Sequence, residues 1–378
     1  MKWIHIVTRF IFHIFWLLPI KKNRIIFTSY KGAQFSCNPK YIFLELYRSN
    51  KENWEFIWCL NDRYQLPQEF EDVKTVSYKS FKYIYYQVTS KIVIINHANP
   101  VYIPLRRKQL KINTWHGGGA YKRVSLAVKN NKHKFEEYKA KCEIKDTDYF
   151  ISSSMKFTDV MLESQMLPKS VYLNIGMPRN DLFFNRNDEL ILEIKNRLML
   201  EKHQRIVLYA PTYRGGQNSE RFEMQLDASR VISCLRKKCG GEWVLLLRTH
   251  ISTVTLTSND SFELMDVSSY PDMQELLLVS DVLITDYSSS IWDYALMGKP
   301  AFLFTPDLQE YLENRGLYIP IENWQYPHAE TNDELINIIQ SYKMSENKRR
   351  INKYFEEMGS YEKGTASITI CKLIKSAL

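Results

Sequence analysis

From Arg24 onward, short runs of β-branched and aromatic residues alternate with segments of helical periodicity. This alternation is typical of a parallel β-sheet whose strands are joined by crossover helices. In the first half, the apolar runs predict strands at 24–30, 54–60, 91–97, 111–116, 148–153 and 171–175. The pattern restarts in the second half, with strands predicted at 205–211, 242–250, 262–267, 282–286 and 301–305. The chain is therefore expected to form two doubly wound α/β units.

The length of 378 residues also suits two domains of ordinary size. We predict a helix at 1–22, a first domain at 23–190 and a second domain at 191–378, joined by a charged stretch. A helix is expected at 39–48, with Asn38 as its cap. The last helix is expected to pack back on the first domain.

The N-terminal segment combines an apolar surface with a narrow polar stripe. Lys2, His5, Arg9 and His13 recur at steps of three or four, so they share one side of a helix. A membrane span needs about 20 mostly apolar residues, whereas this segment is interrupted by charge and ends at Pro19. The pattern predicts an amphipathic helix at the membrane interface. The alternative is a helix packed on the protein's own core.

The net charge of +9 indicates an anionic partner. The excess lies in the first fifty residues, where Glu45 is the only acid, beside the apolar segment. This favours an anionic membrane surface. No nucleic-acid partner is expected, because no zinc-finger, RNA-binding or basic-heptad signature accompanies the charge. The six cysteines are scattered without a C-x-x-C pair, which is typical of buried thiols in a reducing cytoplasm.

Ligands of doubly wound sheets bind at the carboxyl ends of the strands, so residues just after strands are candidates for the site. The first such point is N-T-W-H-G-G-G at 113–119. The imidazole of His116 could take a proton from an attacking hydroxyl, since its ordinary pKa of about 6.5 is near cytoplasmic pH. Alternatively, His116 caps a turn and the glycines serve only the bend.

Two further strand ends carry cationic residues. Arg214 precedes Gly215 and Gly216 and could pair with a phosphate. Arg248 and His250 follow another strand and suit a pyrophosphate. For both of these strand ends, the alternative is an ordinary surface loop.

The fourth strand end is the most informative, because Asp286 is followed by Tyr-Ser-Ser-Ser and a helical pattern to Met297. Serines at a helix start cap its amides, which can also bind an anion. The sequence lacks a phosphate loop, a G-x-G-x-x-G fingerprint, H-E-x-x-H and G-x-S-x-G, so kinase, dehydrogenase, zinc-protease and α/β-hydrolase functions are not supported.

Together these motifs resemble, in order, those of the CDP-glycerol glycerophosphotransferase family of teichoic acid synthesis. The matching segments are T-W-H-G at 114–117, G-M-P-R-N-D at 176–181, Y-A-P-T-Y-R at 209–214, T-D-Y-S-S at 285–289, G-K-P at 298–300 and D-L-Q-E-Y at 307–311. The resemblance implies the GT-B architecture, in which two Rossmann-like domains face each other across a cleft.

The resemblance also implies roles for individual residues, with no metal and no other cofactor. His116 would be the base on the acceptor hydroxyl, and His250 falls where the family has its second active-site histidine. Arg248, His250, Ser288 and Ser289 would hold the pyrophosphate, which Asp286 and Asp293 would help to orient. The remaining implied substrate contacts are Trp115, Gly117, Arg179, Thr212 and Arg214.

The implied reaction transfers glycerol phosphate, or another polyol phosphate, from CDP-glycerol or CDP-ribitol to a lipid-linked saccharide, releasing CMP. The enzyme would lie peripherally on the cytoplasmic face of the cell membrane. After Gly117, the family commonly has Thr-Pro-x-Lys, whereas this chain has Gly118 to Arg123, which leaves the acceptor open. The chain length suggests a primase more than a polymerase. The alternatives are a glycosyltransferase that uses nucleotide sugars and a non-catalytic membrane scaffold.

Overall fold

The computed structural model describes residues 2–62, 64–128, 134–185, 187–212, 224–249 and 263–377. The chain forms two compact units. The first comprises residues up to Gly118, Val124–Asp181 and the segment from Ser360, and the second comprises Gly119–Arg123 and Leu182–Gly359. The chain passes from the first unit to the second after Asp181, whereas the sequence predicted this boundary near residue 190.

The first unit contains a parallel sheet of seven strands in the order β3-β2-β1-β4-β5-β6-β7. The chain leaves β1 to one side and returns to β4 on its other side, so the sheet has a switch point between these strands. Both faces are covered, which explains the nearly unbroken apolar runs. The strands are β1 Lys21–Thr28, β2 Glu55–Cys59, β3 Lys74–Val76, β4 Ser90–Ile95, β5 Leu110–Asn113, β6 Tyr149–Ser152 and β7 Tyr172–Asn174.

Helices of the first unit connect these strands and cover the sheet. Ser80 and Ser154 accept hydrogen bonds from backbone amides at the starts of α3 and α5. The helices are α1 Lys2–Phe12, α2 Cys37–Asn50, α3 Phe81–Thr89, α4 Lys134–Lys145 and α5 Met155–Gln165.

The second unit repeats this winding with a parallel sheet of six strands in the order β10-β9-β8-β11-β12-β13. Its switch point lies between β8 and β11. The strands are β8 Arg205–Ala210, β9 Trp243–Leu247, β10 Leu264–Asp266, β11 Val282–Thr285, β12 Ala301–Phe304 and β13 His328–Ala329. The helices are α6 Asp188–Arg197, α7 Ala228–Cys239, α8 Met273–Val279, α9 Ser290–Ala295, α10 Leu308–Asn314, α11 Asn332–Ser341 and α12 Met344–Met358. The predicted α/β class with two parallel sheets is confirmed.

The final helix, α13 Ala366–Ser376, belongs to the first unit and packs on α2. Asp181 accepts hydrogen bonds from the amides of Ala366 and Ser367, at 3.0 and 2.7 Å, and so caps the start of this helix. The amide of Met177 donates to Glu362, which also accepts from the side chain of Asn180. The G-M-P-R-N-D segment therefore ties the C-terminal part of the chain to the first unit.

The N-terminal helix α1 binds the first unit through a polar residue. Arg9 donates to the carbonyls of Val101 and Ile103, both at 2.8 Å, and forms an ion pair of 3.3 Å with Asp146. Phe12, at the end of the helix, packs against the core of the first unit. Within the described ranges, no helix has both the length and the apolar character needed to cross a membrane.

Candidate functional site

The loop after β5 places His116 beside the end of β4. The ring nitrogen Nδ1 of His116 lies 2.7 Å from the carbonyl oxygen of Asn96. A carbonyl only accepts hydrogen bonds, so Nδ1 carries the proton. In the neutral ring, Nε2 then holds the lone pair. The loop therefore presets the tautomer that a general base requires.

The residue before this histidine has an unusual backbone conformation. Trp115 has φ +52°, in the left-handed region that a bulky side chain rarely adopts. Its amide donates to the Asn113 side chain at 3.0 Å, and its ring stacks on His116 with 4.6 Å between centroids. The Asn38 amide donates to the carbonyls of Thr114 and Trp115, at 2.9 and 3.1 Å. These contacts hold the strained loop in one geometry.

Arg179 supports the same loop from within the protein. Its guanidinium donates to the carbonyl of His116 at 2.7 Å and to the sulfur of Cys37 at 3.3 Å. Its amide donates to Asn38 Oδ1 at 3.1 Å. Only 3% of Arg179 is exposed. The sequence placed Arg179 among the substrate contacts, whereas the structure shows it holding the backbone that carries His116.

Asn38 does not act as the predicted helix cap. The helix α2 already begins at Cys37, and the side chain of Asn38 is fully buried among the loop carbonyls described above. Sequence reasoning missed this role, because a polar residue before a helical pattern is equally typical of a cap.

The three glycines after His116 do not form a left-handed turn, and the last of them is required for packing. None of Gly117, Gly118 and Gly119 has a positive φ. A Cβ at Gly119 would lie 2.0 Å from Cε2 of Tyr121. The Tyr121 ring is buried against Trp324, with 4.1 Å between centroids. The unusual sequence after Gly118 is therefore part of the packing of the second unit.

Replacing Gly119 with alanine is expected to destabilise the protein by about 1–3 kcal/mol, because the Tyr121 ring must move out of a closely packed position. Thermal unfolding of the two proteins measures the effect. In the double variant Gly119→Ala/Tyr121→Leu, the smaller leucine leaves room for the new methyl group. The loss of stability of the double variant should therefore be less than the sum of the losses of the two single variants. Strictly additive losses would show that the clash with Tyr121 is not the cause.

Glu143 of α4 is a second ionisable group near the loop. It accepts a hydrogen bond from the Asn113 side chain at 3.3 Å. Burial raises the pKa of this carboxyl from 4.5 to about 7. The folded protein therefore binds the proton of this carboxyl more tightly than the unfolded chain does. The stability that this proton contributes is fully present below about pH 4.5 and is lost as the pH rises through about 7.

At pH 8, Glu143→Gln is accordingly expected to increase the free energy of unfolding by about 1 kcal/mol and to melt at a higher temperature than the wild type. At pH 4.5 the two proteins should melt at similar temperatures. Melting curves across this pH range provide the measurement. The exposed Glu137 lies on the same helix, and Glu137→Gln is the control. A difference between Glu143→Gln and wild type that is constant with pH would rule out this titration.

In the second unit, Asp286 lies at the switch point of the sheet and links the loops on its two sides by hydrogen bonds. Its carboxylate accepts from the amide of Thr212 at 2.8 and 2.9 Å, from the hydroxyl of Thr212 at 2.6 Å and from the amide of Tyr287 at 2.6 Å. Thr212 follows β8 and Asp286 follows β11, so these bonds join the loops on either side of the switch point. This is the position at which ligands bind to doubly wound sheets.

The serine loop lies directly after this aspartate. The Ser290 hydroxyl and amide both contact the Ser288 oxygen, at 3.0 and 3.3 Å. The helix α9 has only six residues, and the side chain of Ser289 makes no capping bond among the described residues. The helical pattern that the sequence shows up to Met297 ends as a helix at Ala295, and six residues provide only a small dipole for an anion. Asp293 is buried and accepts from Gln274 Nε2 at 2.9 Å, so it orders the helix from within.

The D-L-Q-E-Y segment contacts the same loop, which the sequence did not reveal. Tyr287 donates to Asp307 at 3.1 Å and stacks on Tyr311 with 3.6 Å between centroids. Arg248, at the end of β9, donates to the carbonyl of Tyr270. Arg214 and His250 lie outside the described residues. Among the residues that the structure does describe, no cluster of three His, Cys, Asp or Glu side chains could hold a metal ion.

Comparison with known proteins identifies the family of this chain. The family profile described as CDP-Glycerol:Poly(glycerophosphate) glycerophosphotransferase matches residues 10–376. The chain is 33% identical over 374 residues to a teichoic acid poly(glycerol phosphate) polymerase of Bacillus spizizenii, covering 94% of this chain and 93% of the relative. Since that polymerase is of similar length, chain length does not distinguish a primase from a polymerase.

Another teichoic acid poly(glycerol phosphate) polymerase, from Bacillus subtilis, is 29% identical, and the match covers 95% of this chain but 50% of the relative. The solved structure of the wall teichoic acid polymerase TagF superposes with a TM-score of 0.84 at 27% identity, covering 98% of this chain and 93% of that chain. A variant of TagF soaked with CDPG superposes with a TM-score of 0.82. The chain belongs to the CDP-glycerol:poly(glycerophosphate) glycerophosphotransferase family.

Proposed function

We propose that the protein transfers glycerol phosphate, or another polyol phosphate, from CDP-glycerol or CDP-ribitol to a lipid-linked saccharide acceptor in teichoic acid or capsule synthesis. In this reaction an acceptor hydroxyl oxygen forms a bond to the phosphorus that carries the polyol. The bond from that phosphorus to the bridging oxygen breaks, and CMP leaves with its electrons. The acceptor's proton passes to a base.

His116 is the base in this proposal. The observation that carries it is the hydrogen bond from His116 Nδ1 to the carbonyl of Asn96, which leaves the lone pair on Nε2. The backbone of the loop is held by Asn38 and Arg179, so the ring needs little reorganisation before the reaction.

The loops of the second unit hold the CDP-polyol in this proposal. Thr212 and Asp286 lie at the switch point, where backbone amides approach a ligand. Arg248 and the hydroxyls of Ser288 and Ser289 would contact the pyrophosphate. Arg214 and His250 remain predicted contacts of the same group. The soak of TagF with CDPG supports this ligand class.

The acceptor is proposed to be membrane-bound, because α1 and the 3₁₀ turn after it, His13–Leu17, expose an apolar surface. Arg9 of α1 is held in its contacts with the first unit, whereas several apolar side chains of the same helix are exposed. Phe81 on α3 is also exposed, next to the groove between α1 and α3 that Lys79 lines. Apolar side chains with neighbouring lysines suit the anionic cytoplasmic face of the membrane. The exposed residues are Ile4, Val7, Phe10, Ile11, Ile14, Trp16 and Leu17.

Nucleotide release tests the proposed donor. The full chain is incubated with membranes or a lipid-linked saccharide and with CDP-glycerol, CDP-ribitol or common UDP-sugars. Acceptor-dependent release of CMP from a CDP-polyol is expected. Release of UDP alone would instead show a glycosyltransferase, and no release with any donor would favour a scaffold.

A further inference from the structure

Two cavities of the first unit adjoin each other beside the candidate base. The first, of about 400 Å³, is lined by His116 and Lys31 among others. The second, of about 290 Å³, is the groove between α1 and α3, which Lys79 lines. His5 and Tyr102 line both cavities, and their rings stack with 5.7 Å between centroids. The two cavities therefore border on each other at this pair of rings.

Both lysines hold a backbone conformation that a residue with a long side chain rarely adopts. Lys31 follows β1 with φ +58°, and Lys79 follows β3 with φ +66°. Their loops are in contact, because a Cβ atom on Gly32 would lie 3.2 Å from the Cβ of Tyr78. Such strain persists only where the surrounding structure fixes it, and it is frequent at ligand sites. The two loops thus carry both lysines at the sheet edge that also carries His116.

These lysines have no carboxylate partner. Both are exposed, and neither ammonium group forms an ion pair or a hydrogen bond with a residue that the structure describes. Asp62, which follows β2, accepts a hydrogen bond from the Ser77 hydroxyl instead. In the first cavity, Glu136 is paired with Lys139 at 3.5 Å, and burial raises the pKa of Glu143 to about 7. An anionic ligand can therefore bind two cations that are not already paired.

The lining of the two cavities changes from apolar to cationic to basic. Phe12 and Phe81 line the groove, next to the exposed apolar residues of α1. Lys79 lies on the same groove, and Lys31 lies on the cavity that contains His116. A lipid-linked saccharide has its groups in the same order, with an apolar chain, a phosphate that joins the chain to the sugar, and the hydroxyls of the sugar. The lining is thus complementary to such a molecule in charge and in polarity.

We propose that the lipid-linked acceptor reaches His116 through the groove between α1 and α3, and that Lys31 and Lys79 bind the phosphate between its lipid and its saccharide. The apolar chain lies along Phe81, and the saccharide occupies the larger cavity. The two lysines are specificity-determining residues, which select a charged lipid carrier and take no proton from the acceptor hydroxyl. The inference rests on the proposed function for the acceptor's saccharide.

Acceptor kinetics of the full chain test this route. In Lys31→Gln/Lys79→Gln, the KM for a short-chain lipid pyrophosphate disaccharide should rise at least about tenfold, because two charged contacts with the phosphate are lost. The KM for CDP-glycerol should stay close to that of the wild type. Lys31→Arg/Lys79→Arg keeps both charges and should keep most of the acceptor affinity.

The matched control is Lys82→Gln/Lys108→Gln, which removes the same charge from two exposed lysines of the first unit that line neither cavity. Its acceptor KM should equal that of the wild type. An equal rise in the control would show a general effect of surface charge and would overturn the assignment of Lys31 and Lys79.

Binding of lipid phosphates without a donor separates this inference from the proposed function. In calorimetric titration, farnesyl pyrophosphate should bind the wild type at least about tenfold more tightly than Lys31→Gln/Lys79→Gln, whereas farnesol should not distinguish the two proteins. Lysine-dependent binding of glycerol 3-phosphate but not of farnesyl pyrophosphate would assign the lysines to a phosphate of the growing chain and overturn the lipid route. Equal binding of farnesyl pyrophosphate and equal acceptor KM in both proteins would also overturn it. Lysine-dependent binding in a protein that releases no CMP would overturn the proposed function alone.

Discussion

His116→Asn is expected to lower the turnover number for polyol-phosphate transfer by a factor of about 10²–10⁴. The asparagine amide can still donate to the carbonyl of Asn96, as His116 Nδ1 does at 2.7 Å, so the loop should keep its shape. The variant has no atom that corresponds to Nε2, so the acceptor hydroxyl loses its base. CMP release at saturating CDP-glycerol provides the measurement.

The KM for CDP-glycerol should change little in this variant, because His116 is assigned to the acceptor and not to the donor. His203→Asn is the matched control for the loss of a histidine, since His203 lies on the surface of the second unit. A turnover number near that of the wild type in His116→Asn would remove His116 from the mechanism. An equal loss in both variants would point to damage to the fold.

Phe10→Ser/Leu17→Ser is expected to weaken binding to anionic vesicles by at least about 100-fold. Phe10 is 81% exposed and Leu17 is 85% exposed, so both side chains are available for insertion into the interface. Full burial of one such side chain is worth about 1.5–3 kcal/mol, and tenfold in affinity corresponds to about 1.4 kcal/mol. Flotation of the protein with vesicles of defined phosphatidylserine content measures the change.

Point substitutions suit this test better than removal of residues 2–20, because Arg9 in that segment is bound to the first unit. The control Met199→Ser/Met344→Ser changes two exposed apolar residues of the second unit, which are 92% and 53% exposed. Unchanged flotation of Phe10→Ser/Leu17→Ser would contradict the proposed membrane surface, and an equal loss in the control would show nonspecific adsorption.

The fold was predictable wherever apolar runs were long. The predicted strands at 24–30 and 205–211 overlap β1 and β8 closely, since buried central strands need apolar residues on both faces. Two strands were missed, β3 Lys74–Val76 and β13 His328–Ala329. Each of these short strands has a single buried apolar residue, Val76 in β3 and Ala329 in β13, so neither forms an apolar run in the sequence.

The sequence could suggest candidate positions for the site but not the contacts that hold them. The rule that ligands bind at strand ends selected His116 and the loop after Asp286 from the sequence, and the family resemblance added Thr212. The hydrogen bonds that fix the His116 loop join residues far apart in the chain, such as Asn38 and Thr114, which are separated by 76 positions. A single sequence shows local patterns and cannot show which distant residues meet, so the roles of Asn38 and Asn96 appeared only in the structure.

The first unit is discontinuous in sequence, and this has a consequence for biosynthesis. The contacts of Asp181 and Glu362 join residues on either side of Leu182–Gly359, which is the main part of the second unit. Domains usually fold in the order in which they leave the ribosome. Here the first unit cannot complete its contacts until translation has passed residue 366, so the second unit can finish folding before it. The segment 177–181, which includes the Arg179 that supports the His116 loop, therefore obtains its C-terminal contacts only after residue 366 has been synthesised.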